Sequence, residues 1–256
     1  MVGFKSMFMS NLRRRATDGF AVGYNIFFPL ILIFLLGLLC NGMFEKEVIT
    51  SYKYYTVVTV PFCLFMAIVT AAYGGKDDAY AKTADRILIA PIGVITLVLP
   101  KILAEVIVFT LCSMFVLGLS TVFWNVWSIK FILPMCFLYV SIAFLIASVG
   151  TYIGLGMKNF MRIKNILNVP IVIFALLGGC FTPFGTYHKG LQLLIDLSPL
   201  TWINRGIFMM MYDDNNTILY TLCGVFSVIG SVFTILAIVC FKKEEYGYGE
   251  LPGYEK

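Results

Sequence analysis

Histidine is nearly absent from this chain of 256 residues. His188 is the only one, which excludes an HExxH metalloprotease and any multi-histidine metal centre. The seven cysteines, Cys40, Cys63, Cys112, Cys136, Cys180, Cys223 and Cys240, show no CxxC pairing and scatter through apolar stretches. That pattern suits small buried hydrophobes and implies neither a disulfide framework nor a metal site. Charge is scarce too, at 13% of residues against 60% apolar, and mean hydropathy is +0.89. A soluble domain carries about 25% charged residues, so a water-soluble fold is excluded. A nucleotide-binding loop is also lacking. Gly74-Gly75-Lys76 resembles the end of GxxxxGK[ST], but position 70 holds Thr70 instead of glycine, and Asp77 replaces the hydroxyl residue after the lysine. Any nucleotide chemistry therefore belongs to a partner. The apolar runs offer almost no carboxylate, histidine or nucleophile at depth, so no catalytic residue is expected here.

Long apolar runs are abundant. Six of them, Phe20 to Cys40, Tyr54 to Tyr73, Leu103 to Val122, Phe131 to Ile153, Ile166 to Phe181 and Ile218 to Phe241, approach or exceed the length that crosses a hydrocarbon core. None alternates with period 2 as a membrane barrel strand does, and backbone groups in lipid must be satisfied within the segment, so the spans are read as helices. The expected fold is an all-α integral membrane protein forming one helical bundle over residues 1–256, with lipid around it. Five of the 19 Lys and Arg residues, Lys46, Lys53, Lys130, Lys189 and Arg205, fall on one side of these spans and the rest on the other. The positive-inside rule then predicts both termini in the cytoplasm.

Ahead of the first run, Phe4, Met7, Phe8 and Leu12 repeat at helical spacing between Lys5, Ser6, Ser10 and Asn11. This predicts an interfacial helix within residues 1–19. Arg13, Arg14 and Arg15 before an apolar run resemble a secretion signal, but that run exceeds the 7 to 15 residues of a signal core, and Leu39 is not a small cleavage-site residue.

One carboxylate lies clearly inside a run: Glu105, with Lys101 one turn earlier on the same face. Charges at such depth are costly and functional by default. The two readings are a structural or gating ion pair and a proton or substrate relay. Two connections also differ from short turns. Residues 76–100 open with a polar stretch from Lys76 to Arg86 and continue into Ile87 to Leu99, broken by Pro91 and Pro100 and too short to span. This reads as a docking lever followed by a surface helix. Residues 182–217 carry Leu191, Leu194, Ile195 and Leu197 at helical spacing, with Pro183 and Pro199 as breaks and Trp202 and Tyr212 suited to the interface. This predicts an outer hairpin dipping back into the membrane.

Taken together, the interfacial helix, the six spans, the lever after the second span and the dipping hairpin before the last resemble the type 2 permease family of ATP-binding-cassette (ABC) exporters. Thr83, Asp85, Arg86, Leu88, Pro91 and Lys101 stand where that family tends to carry its pattern, with Lys82 in place of the usual glycine. Ser198-Pro199-Leu200-Thr201-Trp202-Ile203-Asn204-Arg205 is similar to its Pro-Leu-Thr run before an aromatic and a basic residue. The resemblance implies that Tyr80, Lys82, Thr83, Asp85 and Arg86 form a coupling helix seated on a cytoplasmic ATP-binding subunit, where ATP and Mg would reside. Lys101 and Glu105 stay a gating or structural ion pair beside it, and Pro183, Pro199, Trp202 and Arg205 belong to the outer re-entrant segment. The resemblance also implies pairing with a second permease chain, identical or sister, and no cofactor on this chain. The implied activity is efflux of an amphipathic cargo, such as a drug, an antimicrobial peptide or a lipid-linked molecule, across the cell membrane. No nucleic-acid partner is expected. The alternative is a gradient-driven secondary carrier. Phenylalanines and methionines such as Phe27, Phe34, Phe62, Phe65, Phe109, Met114 and Phe115 either line an apolar route or face lipid.

Overall fold

A computed structural model of the chain describes residues 2–44, 49–89, 92–126, 128–157, 160–181, 189–243 and 246. Pro91, Pro183 and His188 lie outside them. The described residues form helices α1 (Val2–Thr17), α2 (Gly19–Leu39), α3 (Ser51–Met66), α4 (Ile68–Tyr80), α5 (Ala84–Ile89), α6 (Val94–Trp124), α7 (Ile132–Gly156), α8 (Phe160–Leu177), α9 (Lys189–Leu197), α10 (Pro199–Tyr212) and α11 (Thr217–Val239), and no strand. An all-helical fold follows from the apolar sequence, because a helix satisfies its own backbone polar groups without water.

Five helical units are long and apolar enough to cross a membrane: α2, the nearly continuous α3–α4 unit Ser51–Tyr80, α6, α7 and α11. The expected fifth run is the exception. In α8 the apolar part is only Ile166–Leu177, because the helix is stopped before Phe181 by a Gly178-Gly179 cap. Gly179 takes a left-handed φ of 75°, its N–H donates to Leu176 O, and the Cys180 N–H donates to Ala175 O at 2.9 Å. Glycine is the residue that enters that conformation without a Cβ penalty.

Two boundaries move from their expected places. The helix of the second span runs on to Tyr80, so Lys76, Asp77 and Asp78 form its last turns instead of opening a polar loop. The third begins at Val94 and passes through Pro100, so Pro100 does not break the chain, and the expected surface helix shrinks to α5. A proline removes one backbone donor, and neighbouring helices can absorb that loss inside a bundle.

The α3–α4 unit is the axis of the bundle, with 83% of its apolar window buried against 22% for α2 and for α11. Small residues let it approach α7. A Cβ on Gly150 would overlap Ala71, one on Gly154 would overlap the Ala72 carbonyl, and one on Gly75 would lie 2.9 Å from Gly154 Cα. Such small-residue faces substitute for a hydrophobic driving force between helices in lipid. A similar fit joins α11 to α7, where Gly230 sits against Phe144 and Leu145, and Ser148 and Thr234 share a hydrogen bond of 3.0 Å. These registers make α4, α7 and α11 run parallel. On α2 the buried stripe is Ala21, Asn25, Pro29, Ile33 and Gly37 at every fourth position, and Phe20, Phe27, Phe34 and Leu38 face outward.

Candidate functional site

A network of buried charged residues lies at the end of the bundle that bears α5. Helix α1 turns a stripe of Phe4, Met7, Phe8, Asn11, Leu12 and Arg15 toward the other helices and leaves Lys5, Ser6, Met9, Ser10 and Arg13 exposed. Its last turn inserts Arg15, only 4% exposed, between α4 and α6. The guanidinium donates from Nε to Glu105 Oε1 at 2.5 Å and from Nη2 to Thr70 O at 2.9 Å; Nη1 lies 3.1 Å from Asp18, and Asp77 is 3.8 Å away. Gly74 makes the space, since a Cβ there would overlap both the Arg15 guanidinium and the Glu105 carboxylate. Burial works against the Arg15 charge, but Glu105, Asp77 and Asp18 more than offset it, so the guanidinium is held above its ordinary pKa. Asp18 also caps α2, accepting from the Phe20 and Ala21 N–H groups at 3.1 Å each.

One turn further along α4, Asp78 is a second centre. Its carboxylate receives Arg14 Nη1 at 2.8 Å, Lys101 Nζ at 2.5 Å and the Tyr246 hydroxyl at 2.6 Å. Lys101 Nζ also donates to Gly74 O at 3.3 Å. Lys101 and Glu105 share a helix face as expected, but each is bound to a different partner: Lys101 to Asp78 and Glu105 to Arg15. The cations Arg14, Arg15 and Lys101 thus face the carboxylates of Asp18, Asp77, Asp78 and Glu105. Buried charges persist only when compensated in this way. The second Glu105 oxygen, Oε2, has no hydrogen-bond partner among the described residues.

Asp78 also carries the turn into α5. Its carbonyl accepts the Thr83 N–H at 2.9 Å and the Thr83 hydroxyl at 3.2 Å, and the Lys82 N–H donates to Ala79 O at 3.0 Å. This is a Schellman turn with Lys82 at its left-handed position, φ 54°. The sequence departure noted at Lys82 therefore falls at a backbone site that favours glycine. Beyond it, α5 buries Ala84 and sets Ile87 and Leu88 against Leu97, Val98, Ile102 and Ala237, while Asp85, Arg86 and Ile89 point away from the bundle. Tyr80 is half-buried, with its ring 6.4 Å from that of Tyr73. Tyr80, Lys82, Thr83, Asp85 and Arg86 thus sit on one turn and its helix, backed through Asp78 by Lys101.

At the other end, Pro199 opens α10 at its first turn. Ser198 Oγ donates to Phe174 O, Thr201 Oγ1 to Leu177 O and Asn204 Nδ2 to Gly178 O, at 2.9, 3.4 and 2.8 Å, so Ser198, Thr201 and Asn204 cap the carbonyls at the end of α8. Tyr54 Oη donates to Gly179 O at 2.9 Å, locking the same cap to α3. Trp202 Nε1 donates to Asp196 O at 2.7 Å, and Arg205 pairs with Asp196 at 2.9 Å while lying over the Trp202 ring.

A family model described as ABC-2 type transporter matches residues 2–212, a range that holds α1 to α10. The chain belongs to the ABC-2 type transporter family. A search of curated proteins gives no match. The family is a membrane permease domain, and membership implies in general an ATP-binding partner subunit. This ABC-2 permease is accordingly a multi-pass membrane protein. The aromatic and methionine positions divide: Phe62, Phe65 and Phe109 are buried, whereas Phe27, Phe34 and Phe115 face outward.

Sequence reasoning passed over Arg14, Arg15, Gly74, Asp77, Asp78 and Tyr246 as site residues. A signal for four of them was present: two adjacent aspartates at the end of an apolar run, and arginines that end an amphipathic stripe. Tyr246 had none, because its partner stands 168 positions away.

Proposed function

We propose that this ABC-2 permease exports an amphipathic cargo from the cytoplasm, driven by ATP hydrolysed on a separate subunit. That subunit would hold ATP and Mg, and α5 would be the coupling helix seated in it. The observation that carries the reading is the exposed Asp85–Arg86 pair on a six-residue helix, rooted through the Thr83–Asp78 bonds in the buried ion network. A displacement of α5 would be transmitted to α1, α4 and α6 together, because one carboxylate joins all three.

The end bearing α5 is then the cytoplasmic one, in keeping with the excess of Lys and Arg there. Both α1 and Tyr246 reach that end, which supports termini on a shared side. The parallel course of α7 and α11 supports a return across the membrane by the intervening α8–α10. We assign the sixth crossing to α8, completed by α9–α10 as a re-entrant outer pair. Exposed Leu193, Leu194 and Leu197 on α9 suit that depth. Two permease chains, identical or sister, would enclose the route, and the outward apolar faces of α2 and α11 are available to lipid or to that second chain.

The test is ATPase activity of the candidate ATP-binding subunit, alone and reconstituted with this chain in lipid, across amphipathic drugs and antimicrobial peptides. Stable association with cargo-stimulated hydrolysis supports the proposal. Absence of association, with flux driven by a proton or sodium gradient alone, would establish the carrier instead.

A further inference from the structure

Three donors meet on the Asp78 carboxylate, and they differ in what their release would cost. Arg14 and Lys101 are charged and belong to α1 and α6. Removing either leaves a buried charge short of its partner. Tyr246 is neutral and follows the last helix, bound locally through its N–H to Lys242 O at 3.1 Å. Its ring is 1% exposed, lies 5.5 Å from the Phe241 ring, stands 5.9 Å from Lys101 Nζ and joins the apolar cluster of Ala84, Leu97, Val98, Ile102 and Ala237. If the Tyr246 hydroxyl leaves, Asp78 keeps both cations.

We infer that Tyr246 is a positioning residue, a releasable latch that holds the turn between α4 and α5 through Asp78. The same aspartate gives its side chain to Tyr246 and its carbonyl to Thr83, so α5 cannot swing without turning the group that Tyr246 holds. Burial, followed by the neighbouring Asp78 charge, raises the Tyr246 pKa, which keeps the hydroxyl protonated and able to donate. The latch takes its functional meaning from α5 as the coupling helix, but its existence is measurable without any ATP-binding subunit, so the two readings fail separately.

The experiment is amide hydrogen exchange on the full chain in lipid nanodiscs, comparing wild type, Tyr246→Phe and Tyr246→Ala. Tyr246→Phe keeps the ring and removes only the hydroxyl. Exchange across 78–89 is expected to quicken roughly 10- to 100-fold, the range for losing a hydrogen bond to a charged group, with α7 and α11 unchanged. Tyr246→Ala should quicken the same segment further and extend the effect to Leu97 and Val98. Unchanged exchange across 78–89 in Tyr246→Phe overturns the latch, and so does a uniform rise that includes α7, which would make Tyr246 an ordinary core residue. If the latch holds while the ATP-binding subunit never associates, only the exporter reading falls.

Discussion

Arg15 and Glu105 stand 90 positions apart and meet inside the bundle, Nε to Oε1, in a space that exists because residue 74 is glycine. This pair ties the end of helix α1 to α6 one turn beyond Lys101, and it makes α1 part of the bundle instead of an appendage.

Removing one member of that pair should be far more harmful than removing both. Arg15→Met leaves Glu105 buried and uncompensated and is expected to cost about 3–5 kcal/mol. The double variant Arg15→Met/Glu105→Leu should recover most of the loss. Thermal unfolding of the four proteins of this cycle in one detergent gives the coupling, and simple additivity of the two single changes would refute the pairing.

Gly74→Ala should act through the same contact. The added methyl meets Arg15 and Glu105 with no free space, so overpacking of about 1–3 kcal/mol is expected. Gly118→Ala is the control, because nothing lies within 4 Å of a Cβ there. Equal thermal midpoints for the two variants would contradict the described geometry.

Lys82→Gly should stabilise the turn before α5. The left-handed φ of 54° costs a side chain about 1–2 kcal/mol, partly offset by the entropy glycine gains when unfolded, leaving about 0.5–1 kcal/mol. Slower proteolytic cleavage between Tyr80 and Ala84 would report it; faster cleavage would show that Lys82 has a compensating contact.

Asp85→Arg with Arg86→Asp reverses two exposed charges and should leave the fold intact, with an unchanged thermal midpoint. On the proposed docking role it lowers cargo transport per ATP hydrolysed by an order of magnitude or more. Transport and cargo-stimulated hydrolysis at wild-type levels would remove α5 from the coupling scheme.

Asn204→Ala should loosen the cap of α8. Its amide is buried and donates to Gly178 O at 2.8 Å, so losing it leaves that carbonyl unsatisfied at about 1–3 kcal/mol. Hydrogen exchange in the last turn of α8 would rise first, and protection there equal to wild type would exclude the capping role.

Much of the helical layout was legible in the sequence. Apolar runs in a chain with so few charges have one stable form in lipid, and the spacing of Phe4, Met7, Phe8 and Leu12 marked the inward stripe of α1. The helix ends were less legible. Lys76, Asp77 and Asp78 look like loop residues by composition, yet they continue α4 because Arg14, Arg15 and Lys101 neutralise the aspartates. Pro100 looks like a break, yet α6 passes through it. Lys101 and Glu105 look like a pair at one-turn spacing, yet each finds a closer opposite charge on another helix. Hydropathy reports the preference of each residue alone, whereas these outcomes depend on partners that arrive from elsewhere in the chain.

By itself, then, the sequence determined a multi-helix membrane bundle with an interfacial first helix, because those features rest on local apolar content and local periodicity, whereas the capping of α8 by Ser198 and Thr201 joins residues 24 positions apart. Only the tertiary structure decided which charges are neutralised by which, that Asp78 joins α1, α6 and Tyr246, and that Gly74 and Gly75 are spaces for ions and for α7. A buried charge is stabilised only by what stands within a few ångströms of it, and sequence distance carries no information about that separation.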